Sequence, residues 1–357
     1  MKHENNLIIS TQGRLGMICL DRTPHLNALS IAMIQGIDQQ LQHWRDAAEV
    51  DAILISSNSA KAFCAGGDIR YLYDSYQAGN TQYRDYFAAE YLMLDTLRKF
   101  NKPVVVLLDG YVLGGGFGLA QACHIKLSSE KSRFAMPETA IGFFPDVAAT
   151  HFLSRLDEIG VYMALTGEQI SSSDALYLDL VDYHVPSAHF AELQASLIAA
   201  PDLNYVEIRK IIGMFITHPA ESQLKTQIEQ INQHFAYPSV EEIENSLAHD
   251  SKSLDRTWAQ QTLSILKQRP IMAKKTSLKL QQIGQNLSLE KCMQLERVLQ
   301  DLWFEQGDLI EGVRALIIDK DKNPQWQQDN SKFDLILDKI WLSWHKTSTE
   351  NSYAFKC

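Results

Sequence analysis

The sequence predicts an α/β core followed by a mainly helical C-terminal region. Three observations predict it. Short apolar strands alternate with amphipathic helices through the first half, a glycine-rich turn joins a β-branched strand to a helix, and beyond Asn204 the hydrophobic pattern is helical almost throughout.

Taken in order, Leu7–Ser10 and Arg14–Leu20 read as a hairpin around Gln12-Gly13. A helix follows from a cap at Ser30 to about Asp46, with Met33, Ile37, Leu41 and Trp44 on one face. Ala52–Ser56 is the next strand and Tyr83–Phe100 the next helix. Pro103–Leu108 is a β-branched run of the kind found in buried strands. After a glycine cluster a short helix leads to a strand at Ile125–Ser128. In the second half, Ser288–Trp303 carries Cys292, Leu295, Leu299 and Leu302 as one buried stripe. Pro201, Pro219 and Pro238 punctuate the change of pattern. They divide the chain into a core over 1–203, a helical region over 204–340 covering the site, and a polar tail over 341–357.

The 357 residues are 45% hydrophobic and 21% charged, with no repeat or biased tract, as in a globular protein. A formal charge of −10 argues against nucleic acid or an anionic membrane as the main partner. The N-terminal Met1-Lys2-His3-Glu4-Asn5-Asn6 lacks the apolar run of a signal peptide. The apolar stretch Val104–Ala120 is interrupted by Asp109 and glycines, so it falls short of the roughly 20 residues of a membrane span. Cys19, Cys64, Cys123, Cys292 and Cys357 are odd in number and contain no CxxC pair. They read as reduced thiols of a cytoplasmic protein.

Three segments could carry chemistry. The first is Lys61-Ala62-Phe63-Cys64-Ala65-Gly66-Gly67-Asp68-Ile69, where adjacent glycines let backbone N–H groups turn toward a ligand oxygen. The second is Asp109-Gly110-Tyr111-Val112-Leu113-Gly114-Gly115-Gly116-Phe117-Gly118, a strand-to-helix turn with donors at a helix N-terminus. Either could equally serve close packing alone. The second is no dinucleotide fingerprint, since Leu119 stands where the last glycine should fall, and the chain has no phosphate loop, GxSxG elbow or HExxH. His184 and His189 are too far apart to share a helix face. The third is Met136-Pro137-Glu138-Thr139-Ala140-Ile141-Gly142-Phe143-Phe144-Pro145-Asp146, two carboxylates among apolar side chains. Such surroundings raise a carboxylate's pKa toward that of a base at neutral pH, although Glu138 capping a turn and Asp146 in solvent is the plainer alternative.

In this order the three segments resemble the crotonase (enoyl-CoA hydratase/isomerase) superfamily, with Asp21-Arg22-Thr23-Pro24-His25-Leu26-Asn27-Ala28-Leu29 matching its segment beside coenzyme A. The resemblance implies a crotonase-like spiral of repeated ββα units. It also implies an acyl-CoA ligand whose thioester oxygen is held by the N–H groups of Gly67 and Gly115. Hydratases of the superfamily carry one glutamate on the helix after the glycine cluster, where this chain has Gly118, and another at the position of Glu138.

Phe134 to Val147 instead resembles the 3-hydroxyisobutyryl-CoA hydrolase family, whose two active-site carboxylates fall on Glu138 and Asp146. Glu90 matches an acidic residue of that family near the substrate. Glu311–Asp321 and Pro324-Gln325-Trp326 are similar as well, so the likeness runs from about Gly13 to Trp326. Departures fall at Val147-Ala148-Ala149, where a glycine-rich stretch is more usual, and at Arg269–Ala273. The resemblance implies thioester hydrolysis to 3-hydroxyisobutyrate and CoA in valine breakdown. Glu138 would be base or nucleophile, with Asp146, Gly67 and Gly115 completing the catalytic set. Glu90, Asn27, Ala28, Ala65, Gly66, Asp68, Gly114 and Phe143 would line the substrate. No metal or resident cofactor is implied, coenzyme A being part of the substrate, and a homo-oligomer is left open. The rival expectations are a hydratase or isomerase on the same fold and a non-catalytic CoA-binding protein.

Overall fold

In the computed structural model the protein is described at residues 2–4, 6–250, 256–327 and 331–350. It divides into two compact units, Met1–Met136 with Glu168–Glu229, and Pro137–Gly167 with Gln230–Cys357.

Among the described residues the first unit contains eleven strands: β1 (Lys2–Glu4), β2 (Leu7–Gln12), β3 (Leu15–Leu20), β4 (Ala52–Ser57), β5 (Ala62–Cys64), β6 (Val104–Leu108), β7 (Tyr111–Leu113), β8 (Ile125–Ser128), β9 (Arg133–Ala135), β10 (Ile170–Ser171) and β11 (Tyr183–His184). One sheet has the order β1-β2-β3-β4-β6-β8-β11 and the other β10-β9-β7-β5. Each chain turn gives one strand to each sheet, as β4 and β5, then β6 and β7, then β8 and β9. This is the predicted ββα spiral.

The hairpin β2–β3 is antiparallel, with Leu7 opposite Leu20 and Gln12 opposite Leu15. From β3 to β11 the pairs of the large sheet are parallel. Its inner strands β3, β4 and β6 are apolar on both faces, as in sheets covered twice. Leu15, Leu54, Val105 and Leu127 pack with Leu193, Leu197, Ile208 and Ile212 of the helices Phe190–Ala199 and Tyr205–Gly213. The side chains of Ile53, Ile55, Val104 and Val106 alternate to the other face and are fully buried.

The helices follow the expected caps closely. Ile31–Trp44 starts after Ser30, whose side chain accepts from Met33 N–H. Leu289–Gln306 starts after Ser288, which accepts from Lys291 N–H. The helix at Ile69–Gln77, capped by Asp68, was not anticipated.

The second unit is helical. Asp157–Thr166 packs on Ile271–Gly284, and Leu289–Gln306 on the short helix Ala149–Leu153. The units do not divide at 203. The helices on either side of that position share one apolar cluster under the large sheet, whereas residues 137–167 pack among the C-terminal helices. The segment read as a polar tail from 341 is helical to Glu350, the end of a helix that begins at Ser331. Residues 351–357, with Cys357, lie outside the described residues.

Candidate active site

In the first unit the two glycine segments emerge side by side because β5 and β7, which feed them, are paired in parallel. Gly66 at φ +112° and Gly114 at φ +49° take conformations that L side chains rarely adopt. The following residues, Gly67 and Gly115, then lie close. A Cβ on Gly115 would come 3.2 Å from Gly67 N. Among the described residues neither Gly67 N–H nor Gly115 N–H donates to a backbone carbonyl, while Gly114 N–H donates to Ala135 O and Asp68 N–H to Leu29 O. Gly115 also opens the helix Gly115–Ala122, whose N-terminus favours negative charge. Two adjacent donors of this kind can hold an oxygen on which charge develops.

The helix Gln82–Arg98 forms the wall behind both glycines. Tyr86 Oη stands where a Cβ on Gly67 would need to go, at 2.7 Å, and Glu90 Oε1 where one on Gly115 would go, at 2.8 Å. Tyr86 donates to Leu29 O (2.8 Å) and accepts from Asp68 N–H (3.3 Å), which ties the Gly67 turn to the Leu29 strand bridge. Burial, and then the charge of Glu90, raises the Tyr86 phenol well above its usual range, so it stays a neutral donor. Sequence reasoning found Glu90 but missed Tyr86. Its position one helical turn before Glu90 was the available signal.

Other expected substrate residues serve the frame. Asn27 is fully buried, with Oδ1 accepting from Arg22 N–H and Nδ2 donating to Ser57 Oγ and Phe63 O. Its amide holds the β5 segment in place and is not presented to a ligand. Ala28 and Ala65 are half-buried next to it, and Ala65 N–H donates to Leu26 O. Asp68 caps Ile69–Gln77 and pairs with Arg22 at 2.7 Å. Gly118 is buried within Gly115–Ala122, where its lack of a side chain leaves no acid or base.

In the second unit Glu138 opens the 3-10 turn Glu138–Ile141 and is 8% exposed. The turn is pinned on several sides. Phe143 N–H donates to Glu138 O, and Thr139 Oγ1 to Leu165 O. Trp303 Nε1 donates to Gly142 O at 2.7 Å, and its ring stacks edge-on against Phe144 and Phe143. Phe143 thereby belongs to an aromatic cluster. The downstream segment Leu309–Val313 explains its own sequence pattern here, since a Cβ on Gly312 would collide with Ile141 O at 2.2 Å. Glu311 and Arg314 form an ion pair beside it, and Arg314 also bonds Asp319 and Asp321.

Asp146 is buried, and its carboxyl accepts from Gln300 Nε2 at 2.8 Å. Burial and then the neighbouring Glu296 push it up to about 8, while the Gln300 bond pulls the other way. Asp146 thus shows the upward shift expected of a carboxylate in this apolar segment. Glu296 and Gln300 were both missed from sequence. Arg269, one of the departures from the family pattern, donates to Thr166 O.

The sequence profile of the enoyl-CoA hydratase/isomerase family matches residues 15–333, and the chain belongs to that family. Within it, the chain is 38% identical to a mitochondrial 3-hydroxyisobutyryl-CoA hydrolase of Gallus gallus over 90% of its own length and 84% of the relative's. It is 32% identical to the Homo sapiens protein of the same name, over 91% of this chain and 85% of that one. Among solved structures, an enoyl-CoA hydratase from Rhodobacter sphaeroides superposes with TM-score 0.81 at 34% identity, covering 91% of this chain and 93% of that one. A carnitinyl-CoA dehydratase from Mycobacterium thermoresistibile gives 0.83 at 28%, covering 90% and 91%. Among the described residues no helix is long and apolar enough to cross a membrane.

Proposed function

We propose that the chain is an acyl-CoA thioester hydrolase acting on 3-hydroxyisobutyryl-CoA, with 3-hydroxyisobutyrate and CoA as products, a step of valine breakdown. In this reading the N–H groups of Gly67 and Gly115 hold the thioester oxygen as the tetrahedral intermediate forms, each donor worth about 3 kcal/mol of barrier. Glu138 acts as base toward water, or attacks the carbonyl so that the C–S bond breaks and CoA leaves as thiolate, giving a transient anhydride that water opens. Asp146 reads the substrate hydroxyl, and Glu90 holds substrate or water beside Gly115. The reading needs no metal or resident cofactor, because coenzyme A arrives and leaves with the substrate.

Gly118 is the observation that carries hydrolysis over hydration. It sits buried on the helix that begins with an oxyanion donor, and it offers no second carboxylate to deliver water to an alkene. The names of the curated relatives support the same choice. The structural neighbours, a carnitinyl-CoA dehydratase and an enoyl-CoA hydratase, favour a second reading, a hydratase or dehydratase in which Glu90 takes the place of the missing group. Thiol release from 3-hydroxyisobutyryl-CoA, followed beside loss of enoyl absorbance on crotonyl-CoA, separates the two. Hydration faster than hydrolysis overturns our reading.

The location we propose is the cytoplasm, supported by four free cysteines among the described residues. The relatives' names say mitochondrial, and fractionation of cells expressing the tagged chain decides between the two.

A further inference from the structure

Asp146 is followed by two residues in the left-handed region that are not glycine, Val147 at φ +51° and Ala148 at φ +73°. For a β-branched residue this is a costly conformation that persists only where neighbours enforce it. The enforcing group is visible. Glu296, fully buried on Leu289–Gln306, accepts from Ala148 N–H at 2.8 Å and from Thr150 N–H at 2.9 Å, one with each oxygen. One turn further along the same helix, Gln300 donates to Asp146 Oδ2. Trp303 then holds Gly142 O. Three successive contacts on one face of an 18-residue helix therefore grip the segment 142–150.

We propose that Glu296 and Gln300 are positioning residues for Asp146. Glu296 locks the strained turn behind it, and Gln300 fixes one oxygen of its carboxyl. The proposal rests on the role given to Asp146 above. It extends to what Asp146 offers a ligand. The charged neighbour acting on it is Glu296, which together with burial favours a proton on Asp146 at neutral pH. A protonated Asp146 can donate to a substrate hydroxyl as well as accept from it.

The test has two arms. In the first, the protein carries ¹³C-carboxyl aspartate, and the Asp146 signal is assigned by its loss in Asp146→Asn. Gln300→Leu should shift its titration to higher pH and Glu296→Gln to lower pH, each by roughly tenfold in proton affinity. Loosening of the fold alone would let water in and lower both, so shifts of one sign, or none, overturn the assignment. In the second arm, Gln300→Leu should lower kcat on 3-hydroxyisobutyryl-CoA about tenfold, with a smaller loss on isobutyryl-CoA. Glu296→Gln should lose less activity in an Ala148→Gly background, where the turn is no longer strained. An equal loss in both backgrounds overturns the locking role. Should the wild-type chain release thiol from neither substrate, the functional reading fails, and the titration arm still decides whether Glu296 and Gln300 govern Asp146.

Discussion

Tyr86 and Glu90, one turn apart on the helix Gln82–Arg98, each occupy the space that a side chain on one of the two paired glycines would need. The hydroxyl backs Gly67 and the carboxylate backs Gly115. Both glycines are therefore fixed by what stands behind them as well as by the N–H groups they present.

Gly115→Ala should lower kcat by about 100-fold or more, the usual effect of losing an oxyanion donor. The new methyl would press on Glu90 Oε1 at 2.8 Å and on Gly67 N at 3.2 Å, and a buried helix cannot yield to both. Steady-state thiol release, with the melting temperature as a check on folding, reads this out. A variant within threefold of wild type would remove the oxyanion role from this pair.

Glu138→Gln keeps shape and burial but removes the base. The expected result is a kcat lower by at least about 100-fold with acyl-CoA binding preserved in a calorimeter. Retention of a tenth of the wild-type rate would take Glu138 out of the chemistry.

Asp146 supplies a prediction about stability. Its folded-state value of about 8 lies above the ordinary 3.8, so between these values the folded protein holds a proton that the unfolded chain has released. Stability from this group is complete below the unfolded value and is lost as pH rises toward the folded one. Asp146→Asn never ionises, so its melting temperature should gain on wild type from about pH 5 to pH 8. A gap that stays constant over that range would show that Asp146 ionises normally.

Gly312→Ala should destabilise the second unit on the order of 1–3 kcal/mol, because its methyl meets the Ile141 carbonyl at 2.2 Å. Urea unfolding measures this directly. It should also disturb the Glu138 turn and lower kcat, while Gly213→Ala, which meets nothing within 4 Å, should do neither.

The long strands of the large sheet were legible because β3, β4 and β6 are five- and six-residue apolar runs. The second sheet was not, since β5, β7 and β9 have three residues each and β10 two. A strand that short cannot show a period of two. The two glycine segments and the Glu138–Asp146 segment stood out from local chemistry, whereas the choice of Gly67 and Gly115 as a pair, and of Glu138 and Asp146 as site carboxylates, came from the family resemblance. Glu296 and Gln300 were not legible, because they stand about 150 positions from the residue they serve. One trace existed: with Cys292 they continue at four-residue spacing, so a glutamate and a glutamine run along the edge of an apolar stripe. A charged group recurring at buried spacing signals a partner inside, and sequence alone does not say which.

The grip of Leu289–Gln306 on residues 142–150 also has a consequence in time. During synthesis, Glu138 and Asp146 leave the ribosome while Glu296, Gln300 and Trp303 have yet to be translated. At about 5–20 residues per second, roughly ten to thirty seconds pass before the holding helix is complete. Through that interval the strained Val147–Ala148 turn has no anchor. The growing chain thus carries the paired glycines early and finishes its acidic segment late, so a product interrupted before the holding helix should lack the hydrolysis we propose.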